Sequence, residues 1–112
     1  MLKLHQFEIY DQAKKLLLYA EAIVEHHIHA HDDLLARTIK SALVTLVADL
    51  ARYSSLDEEQ HKQDSKKEAV ALIHEIAAGF DIAHDKQLIS DETFNKLEEK
   101  LNTLFVAIKK DL

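Results

Sequence analysis

Four histidines crowd into six positions of the chain, at His26, His27, His29 and His31 in the stretch EHHIHAHDD. On an α-helix His27 and His31 would lie four residues apart and His26 and His29 three apart, so each pair would share a face. Such pairs, with the aspartates that follow them, could bind zinc, nickel or copper. A zinc site needs three or four converging ligands, however, and the two pairs point different ways around the helix.

These histidines also fall in the last turns of a predicted helix, where the negative end of the helix dipole favours cations. We expect solvated side chains at a helix end. Adventitious metal affinity is the first alternative and a functional metal site is the second. No cofactor is expected, because the sequence offers no complete set of ligands.

A carboxylate-bridged di-iron centre is the other metal site that helical bundles host, and it needs two inward-facing Glu-x-x-His motifs. Glu58-x-x-His61 has this spacing but falls in a polar connection, and Asp81-x-x-His84 has the wrong acid. The chain has no cysteine, no G-x-S-x-G motif and no glycine-rich phosphate loop. Nucleophilic catalysis therefore has no candidate residues, and we expect a protein that is not an enzyme.

The charge balance bears on the partners that the chain can have. Its 14 Lys and Arg against 20 Asp and Glu give a formal net charge of -6. This disfavours a nucleic-acid partner, because phosphate neutralisation supplies most of that affinity. The adjacent lysine pairs at residues 14–15, 66–67 and 109–110 are typical of a solvated surface. No apolar run approaches the roughly 18 residues of a membrane span, and no signal-peptide pattern opens the sequence, so we expect a soluble, cytoplasmic protein without membrane contact.

The sequence predicts that these residues lie on or between helices. One glycine and no proline argue against a hairpin-rich β fold and favour helices joined by polar connections. Apolar residues at three- and four-residue spacing predict four helices, at about residues 5–29, 34–54, 65–86 and 90–110. Because short connections make consecutive helices antiparallel, we predict an all-α, up-down-up-down four-helix bundle that forms a single domain over residues 1–112.

Capping residues mark the helix starts. Asp32 or Asp33 can cap the second helix and Ser90 the fourth. Ser65-x-x-Glu68 is a capping-box pattern in front of an apolar run, so we expect the third helix to begin there.

Two stretches are apolar on nearly every side, SALVTLVADLA at residues 41–51 and LLLYAEAIV at residues 16–24. A helix that is apolar most of the way round is usually buried on more than one side. A single bundle core covers only part of that surface, which predicts a homo-oligomer. The predicted interface residues are Leu18, Tyr19, Val44, Val47, Ala48 and Ala51.

The second helix, IKSALVTLVADLARYS at residues 39–54, resembles a known signature. The signature, I-R-R-A-A-x-S-I-x-x-N-I-A-E-G, belongs to the small four-helix-bundle proteins encoded in intervening sequences of large-subunit ribosomal RNA genes. Lys40 stands in an Arg position of the signature, Thr45 in the Ser position and Asp49 in the Asn position. The chain departs from the signature at residues 52–53, where Arg and Tyr replace Glu and Gly.

Other stretches resemble the same family in order and spacing. FEIYDQA at residues 7–13 looks like its opening L-x-V-W-Q-K-A, and Glu75 falls on the last position of an A-x-G-S-x-x-E motif. The resemblance implies a bundle that assembles as a cyclic pentamer and has no established activity. A related branch, the accessory variability determinant protein of diversity-generating retroelements, is a basic pentamer that binds a reverse transcriptase and RNA. The net negative charge of this chain departs from that branch.

We therefore expect a non-enzymatic, oligomeric helical bundle that acts as an assembly or interaction module linked to an intervening or mobile genetic element. Its partner would be further copies of itself. The alternative function is that of a nucleic-acid-binding accessory subunit of a retroelement reverse transcriptase, with that enzyme as its protein partner.

Overall fold

A computed structural model describes residues 7–112 of the chain. These residues form four α-helices and no strand, which confirms the predicted all-α class and the number of helices. The predicted start of the first helix at His5 lies outside the described residues. The helices are α1 (Glu8–Ile23), α2 (Asp33–Tyr53), α3 (Glu59–Asp85) and α4 (Asp91–Asp111), and a π-helical turn at Val24–Ile28 continues α1.

Side-chain contacts show that consecutive helices are antiparallel. In each neighbouring pair, residues early in one helix meet residues late in the other. Contacts of this kind are Phe7–Tyr53, Glu25–Lys40, Asp32–Lys86, Arg52–Glu68 and His84–Asp91. Lys100 lies over the ring of Tyr19, so α4 also packs against α1 and closes the arrangement, as in a four-helix bundle. None of the described helices is long and apolar enough to cross a membrane.

One continuous apolar core fills the space between the helices. It consists of apolar residues at the three- and four-residue spacing that predicted the helices. Phe80, Leu46 and Leu97 are among its fully buried side chains. In α4 the residues at this spacing are buried, Leu97, Leu101, Leu104 and Ile108, and Phe94 packs against the core half-buried. Burial of this kind stabilises a fold by about 25 cal/mol for each Å² of apolar surface removed from water.

The start of α3 differs from the prediction. The helix begins at Glu59 rather than at Ser65, and Ser65 is buried within it instead of capping it. Two side-chain hydrogen bonds at i,i+4 spacing support the additional turns, Gln60 to Asp64 and Gln63 to Glu59, each 3.0 Å long. Polar pairs of this spacing stabilise a helix without any apolar periodicity, so the capping-box interpretation of Ser65 is wrong.

At Gly79, α3 packs closely against α2. A Cβ atom at this position would lie 2.5 Å from Cγ1 of Ile39, whose side chain is buried. Glycine weakens a helix interior by up to about 1 kcal/mol relative to alanine. Here the missing side chain is what allows the two helices to pack.

Candidate functional site

The four histidines lie where α1 ends, but the backbone there is not α-helical. The amide of His29 donates to the carbonyl of Val24 at 2.9 Å, the i→i+5 bond of a π-helix. The i,i+3 and i,i+4 pairing assumed for an α-helix therefore does not apply to His26 and His27, and His31 lies in the turn that follows.

The histidines are exposed side chains at the end of a helix. All four are exposed, and Nδ1 of His29 lies 3.6 Å from the carboxylate of Asp33. Within residues 7–112 no group of three or more His, Cys, Asp or Glu side chains is placed to hold a metal ion.

His27 does reach a cavity at this end of the bundle, between the π-helical turn and the connection from α3 to α4. The cavity has a volume of about 510 Å³ and is lined by His27, His84, Gln87, Leu88, Ile89, Ser90, Asp91 and Thr93. A volume of this size is within the range of small-molecule sites.

The polar groups of this cavity hold one another. Nε2 of His84 lies 2.6 Å from Oδ1 of Asp91, and the His84 ring stacks flat on Phe94 with 4.3 Å between centroids. The hydroxyl of Ser90 accepts a hydrogen bond from the amide of Thr93 at 3.1 Å and so caps α4, as predicted. These contacts join the end of α3 to the start of α4, and Ser90 acts as a helix cap. Sequence spacing did not predict the contacts of His84 with Asp91 and Phe94, because the partners lie on different helices.

Two ion pairs fix α2 between its neighbours. Lys40, the first of the family-signature positions, pairs with Glu25 across α1 and α2. The hydrogen bond from Lys40 lowers the pKa of Glu25 and raises the pKa of Lys40. Asp32 caps α2 by accepting from the amide of Leu35 at 3.0 Å, and its second oxygen accepts from Lys86 of α3.

The other signature positions have different surroundings. Asp49 is buried and accepts a hydrogen bond from Arg52 at 2.9 Å, and Arg52 also lies 3.4 Å from Glu68 of α3. Thr45 and Glu75 are exposed on α2 and α3. The i,i+3 spacing of Asp49 and Arg52 could have indicated their pairing from the sequence.

Five of the predicted interface residues lie on α1 and α2, and we call them the α1–α2 face: Leu18, Val44, Val47, Ala48 and Ala51. Val47 and Ala51 are half-buried and the other three are exposed. Val44, Val47 and Ala51 follow Lys40 at three- and four-residue spacing, on the side of α2 that meets α1. Leu18 is 62% exposed and Val44 53% exposed. Tyr19 lies apart from this face, because Lys100 of α4 sits 4.8 Å from the centre of its ring.

Two of the lysine pairs seen in the sequence meet at the opposite end of the bundle from the histidines. Nζ of Lys66 donates to the carbonyl of Lys109 at 3.1 Å. We call the group around this contact the lysine cluster: Lys62, Lys66, Lys67, Lys109 and Lys110. None of the five has a carboxylate within 4.0 Å among residues 7–112. Both lysines of the third pair, Lys14 and Lys15, lie within 4.0 Å of the carboxylate of Asp11.

Comparison with known proteins adds no relative, since no family model, no curated protein and no solved structure matches the chain. A proposal for its function therefore depends on the residues and their surroundings.

Proposed function

We propose that the protein is a non-enzymatic assembly module that self-associates through the α1–α2 face. The observation that carries the proposal is the exposure of Leu18 and Val44, 62% and 53%, on the neighbouring helices α1 and α2. Because α1 and α2 are antiparallel and Glu25 meets Lys40, Leu18 lies nearly level with Val47. We infer that these residues and the two alanines of the face adjoin, and soluble proteins usually cover an apolar surface of that kind with a partner.

The serine of the end cavity caps α4 and its neighbouring histidine is held by Asp91 and Phe94. The resemblance to the bundle proteins of ribosomal RNA intervening sequences suggests the form of the assembly. It would be a closed ring of five copies, roughly five times the chain mass of 12.8 kDa, because a head-to-tail contact must close or become a filament.

Light scattering on a sizing column tests the proposal directly. We expect the wild-type protein at tens of micromolar to elute as an oligomer. Val44→Glu should yield a monomer with unchanged helical circular dichroism, because a charge cannot be buried without a partner.

Val106→Glu is the matched control, because Val106 of α4 is exposed to nearly the same degree, 51%, but lies away from the α1–α2 face. This variant should assemble like the wild type. A monomeric wild type, or equal loss of assembly in both variants, would refute the α1–α2 face, whereas a dimer or tetramer would refute only the ring of five.

A further inference from the structure

A groove lies between α1 and α4, the first and last helices of the bundle. We call it the α1–α4 groove, and the lining residues that bear on its chemistry are Gln12, Leu16 and Tyr19 of α1 and Glu99, Lys100 and Thr103 of α4. One part of the groove has a volume of about 310 Å³. The adjoining part, which shares Glu99 and Lys100 with the first, has a volume of about 350 Å³. Volumes of this size are within the range of small-molecule sites.

Gln12 is a polar exception on the core-facing side of α1. The buried residues of this helix are Ile9, Ala13, Leu16 and Ala20. Gln12 lies three residues after Ile9 and four before Leu16, which is the spacing of that side of the helix. An apolar residue is expected at such a position, and a departure from the local pattern points to a function.

The amide of Gln12 also lacks a hydrogen-bond partner. Its Oε1 is the one buried side-chain oxygen or nitrogen without a partner among residues 7–112. Buried polar atoms are nearly always hydrogen-bonded, because an unpaired one loses its hydration without compensation. The residue itself is half-buried and lines the groove. Rotation about its terminal torsion, which is broad in glutamine, can turn the oxygen toward a ligand there. The missing partner is therefore a hydrogen-bond donor.

The charged groups of the α1–α4 groove are of both signs. Two of its lysines, Lys15 and Lys96, each lie within 4.0 Å of a carboxylate. Lys100 and Glu99 have no opposite charge within 4.0 Å among residues 7–112. The ammonium group of Lys100 lies instead over the ring of Tyr19, 4.8 Å from its centre. One cation and one anion therefore remain for a ligand.

We propose that the α1–α4 groove binds a free α-amino acid. The ammonium group of an amino acid carries three donors. The acceptors for them are Oε1 of Gln12, the carboxylate of Glu99 and the hydroxyl oxygen of Thr103, whose proton is donated to a backbone carbonyl at 2.9 Å. The carboxylate of the amino acid accepts from Lys100 in a charge-assisted hydrogen bond. Its apolar part lies against Leu16, which is buried.

This set of groups favours an amino acid over simpler ligands. An anion without a donor would leave Gln12 unpaired and would be repelled by Glu99. An amine without a carboxylate would leave Lys100 unpaired and would be repelled by it. A neutral sugar offers donors to Gln12 but no charge to Glu99 or Lys100. A zwitterion satisfies all three residues at once.

Isothermal titration calorimetry of the wild-type protein with each standard L-amino acid tests the proposal. We expect at least one amino acid to bind with a Kd below about 1 mM. The amine and the carboxylic acid that carry the same side chain each lack one charged group, so each should bind at least about tenfold more weakly. If no amino acid binds saturably up to about 10 mM, the groove holds only water and the proposal is wrong. Equal binding of the amine or of glucose would overturn it as well.

Gln12→Leu separates binding from structure. Leucine suits the core-facing side of α1 and has no polar atom to leave unpaired, so urea denaturation without ligand should give a midpoint above that of the wild type. The Kd for the same amino acid should rise at least about tenfold, because the acceptor is lost. A lower midpoint would show that the amide stabilises the fold, and an unchanged Kd would show that it does not bind. Either result would refute the site.

The charged residues of the groove are tested with matched controls in the same helix. Lys100→Met and Glu99→Gln should each weaken binding at least about tenfold. Lys110→Met and Glu98→Gln make the same changes outside the α1–α4 groove and should leave the Kd within about twofold. Equal losses in the variants and their controls would mean that net charge, and not the groove, determines binding.

The proposed function and the amino-acid site can fail separately, because the α1–α4 groove shares no residue with the α1–α2 face. A wild type that binds an amino acid but is a monomer by light scattering would refute the α1–α2 face alone. A wild type that assembles through that face but binds no amino acid in the calorimeter would refute the groove alone.

Discussion

At the scale of single residues, Gln87 occupies a backbone conformation that is unusual for a residue with a side chain. Its φ is +62°, and it is the one non-glycine residue with positive φ among residues 7–112. The amide of Leu88 donates to Ala83 at 3.0 Å and that of Gln87 to His84 at 2.9 Å, the two bonds of a Schellman motif. Glycine is the usual residue at this position, because a Cβ atom disfavours the left-handed conformation.

Gln87→Gly should therefore stabilise the protein by about 0.5–1 kcal/mol. Glycine removes the strain energy of the left-handed conformation in the folded state. This gain exceeds the stability lost because glycine raises the conformational entropy of the unfolded chain. Urea denaturation measures the difference, and Gln87→Ala, which keeps a Cβ atom, should show no such gain. A Gly variant that is less stable than the wild type would mean that the glutamine side chain contributes to the end cavity more than its backbone costs.

Asp32 acts on two elements at once, as the cap of α2 and as the partner of Lys86. The hydrogen bond from Lys86, followed by that from the amide of Leu35, holds the pKa of Asp32 below its ordinary value of 3.8. A carboxyl with a lowered pKa in the folded state stabilises the fold above its unfolded pKa. That contribution is lost as the pH falls through the lower, folded value.

Asp32→Asn should keep the cap but lose the charge. Its urea midpoint should lie below that of the wild type at pH 7, and the difference should shrink once the pH falls below about 3.8. In a Lys86→Gln background the same substitution should have a smaller effect at pH 7. A difference that persists unchanged at pH 2 would show that the amide disturbs the cap rather than the ion pair.

Sequence reasoning reached part of these residue-level features. It anticipated Asp32 as one of two candidate caps and Ser90 as another, because a capping side chain bonds within its own turn. It did not anticipate Lys86 as the partner of Asp32, which is 54 positions away. Pairings of that kind depend on how the helices pack, and no local pattern encodes them.

At the scale of elements, the contact of α2 with α3 depends on the absence of a side chain at Gly79. Alanine is the better helix former by up to about 1 kcal/mol. Its Cβ atom, however, would lie 2.5 Å from Cγ1 of the buried Ile39. Overpacking a core costs typically 1–3 kcal/mol, so we expect Gly79→Ala to destabilise the protein by about 1–2 kcal/mol.

A double-mutant cycle identifies the cause of that loss. Ile39→Ala alone should cost about 2–5 kcal/mol through the cavity it leaves. Adding Gly79→Ala to it should cost nothing further or be stabilising, because the clashing atom is gone and the helix propensity remains. Additive losses would place the strain of the alanine elsewhere.

The elements themselves were largely predictable, and the exceptions have physical causes. Apolar spacing located all four helices, since each buries a stripe in the same core. It missed the first turns of α3, because Gln60 and Asp64 stabilise them through polar side chains. It also missed the π-helical turn at Val24–Ile28, which places both of its terminal apolar residues in the core as an α-helix would, so their spacing does not distinguish the two.

At the scale of the whole molecule, the described chain is an elongated body of 43 × 26 × 21 Å with unlike surfaces. The breadth of the apolar pattern in α1 and α2 indicated that one core cannot bury all of its residues, and Leu18 and Val44 are indeed exposed. The lysine cluster was not predictable, because the meeting of Lys66 with Lys109 arises only when α3 and α4 pack.

Self-association should also be visible in thermal stability. A partner that binds only the folded chain raises the melting temperature as protein concentration rises. We therefore expect the wild-type melting temperature to increase between about 1 and 100 μM, and that of Val106→Glu to increase equally. Val44→Glu should show a much smaller increase, because the α1–α2 face can no longer be buried. Differential scanning calorimetry at matched concentrations measures all three. Equal slopes for Val44→Glu and the wild type would place the assembly contact elsewhere, and a wild type with no slope would mean that Leu18 and Val44 face water in the functional protein.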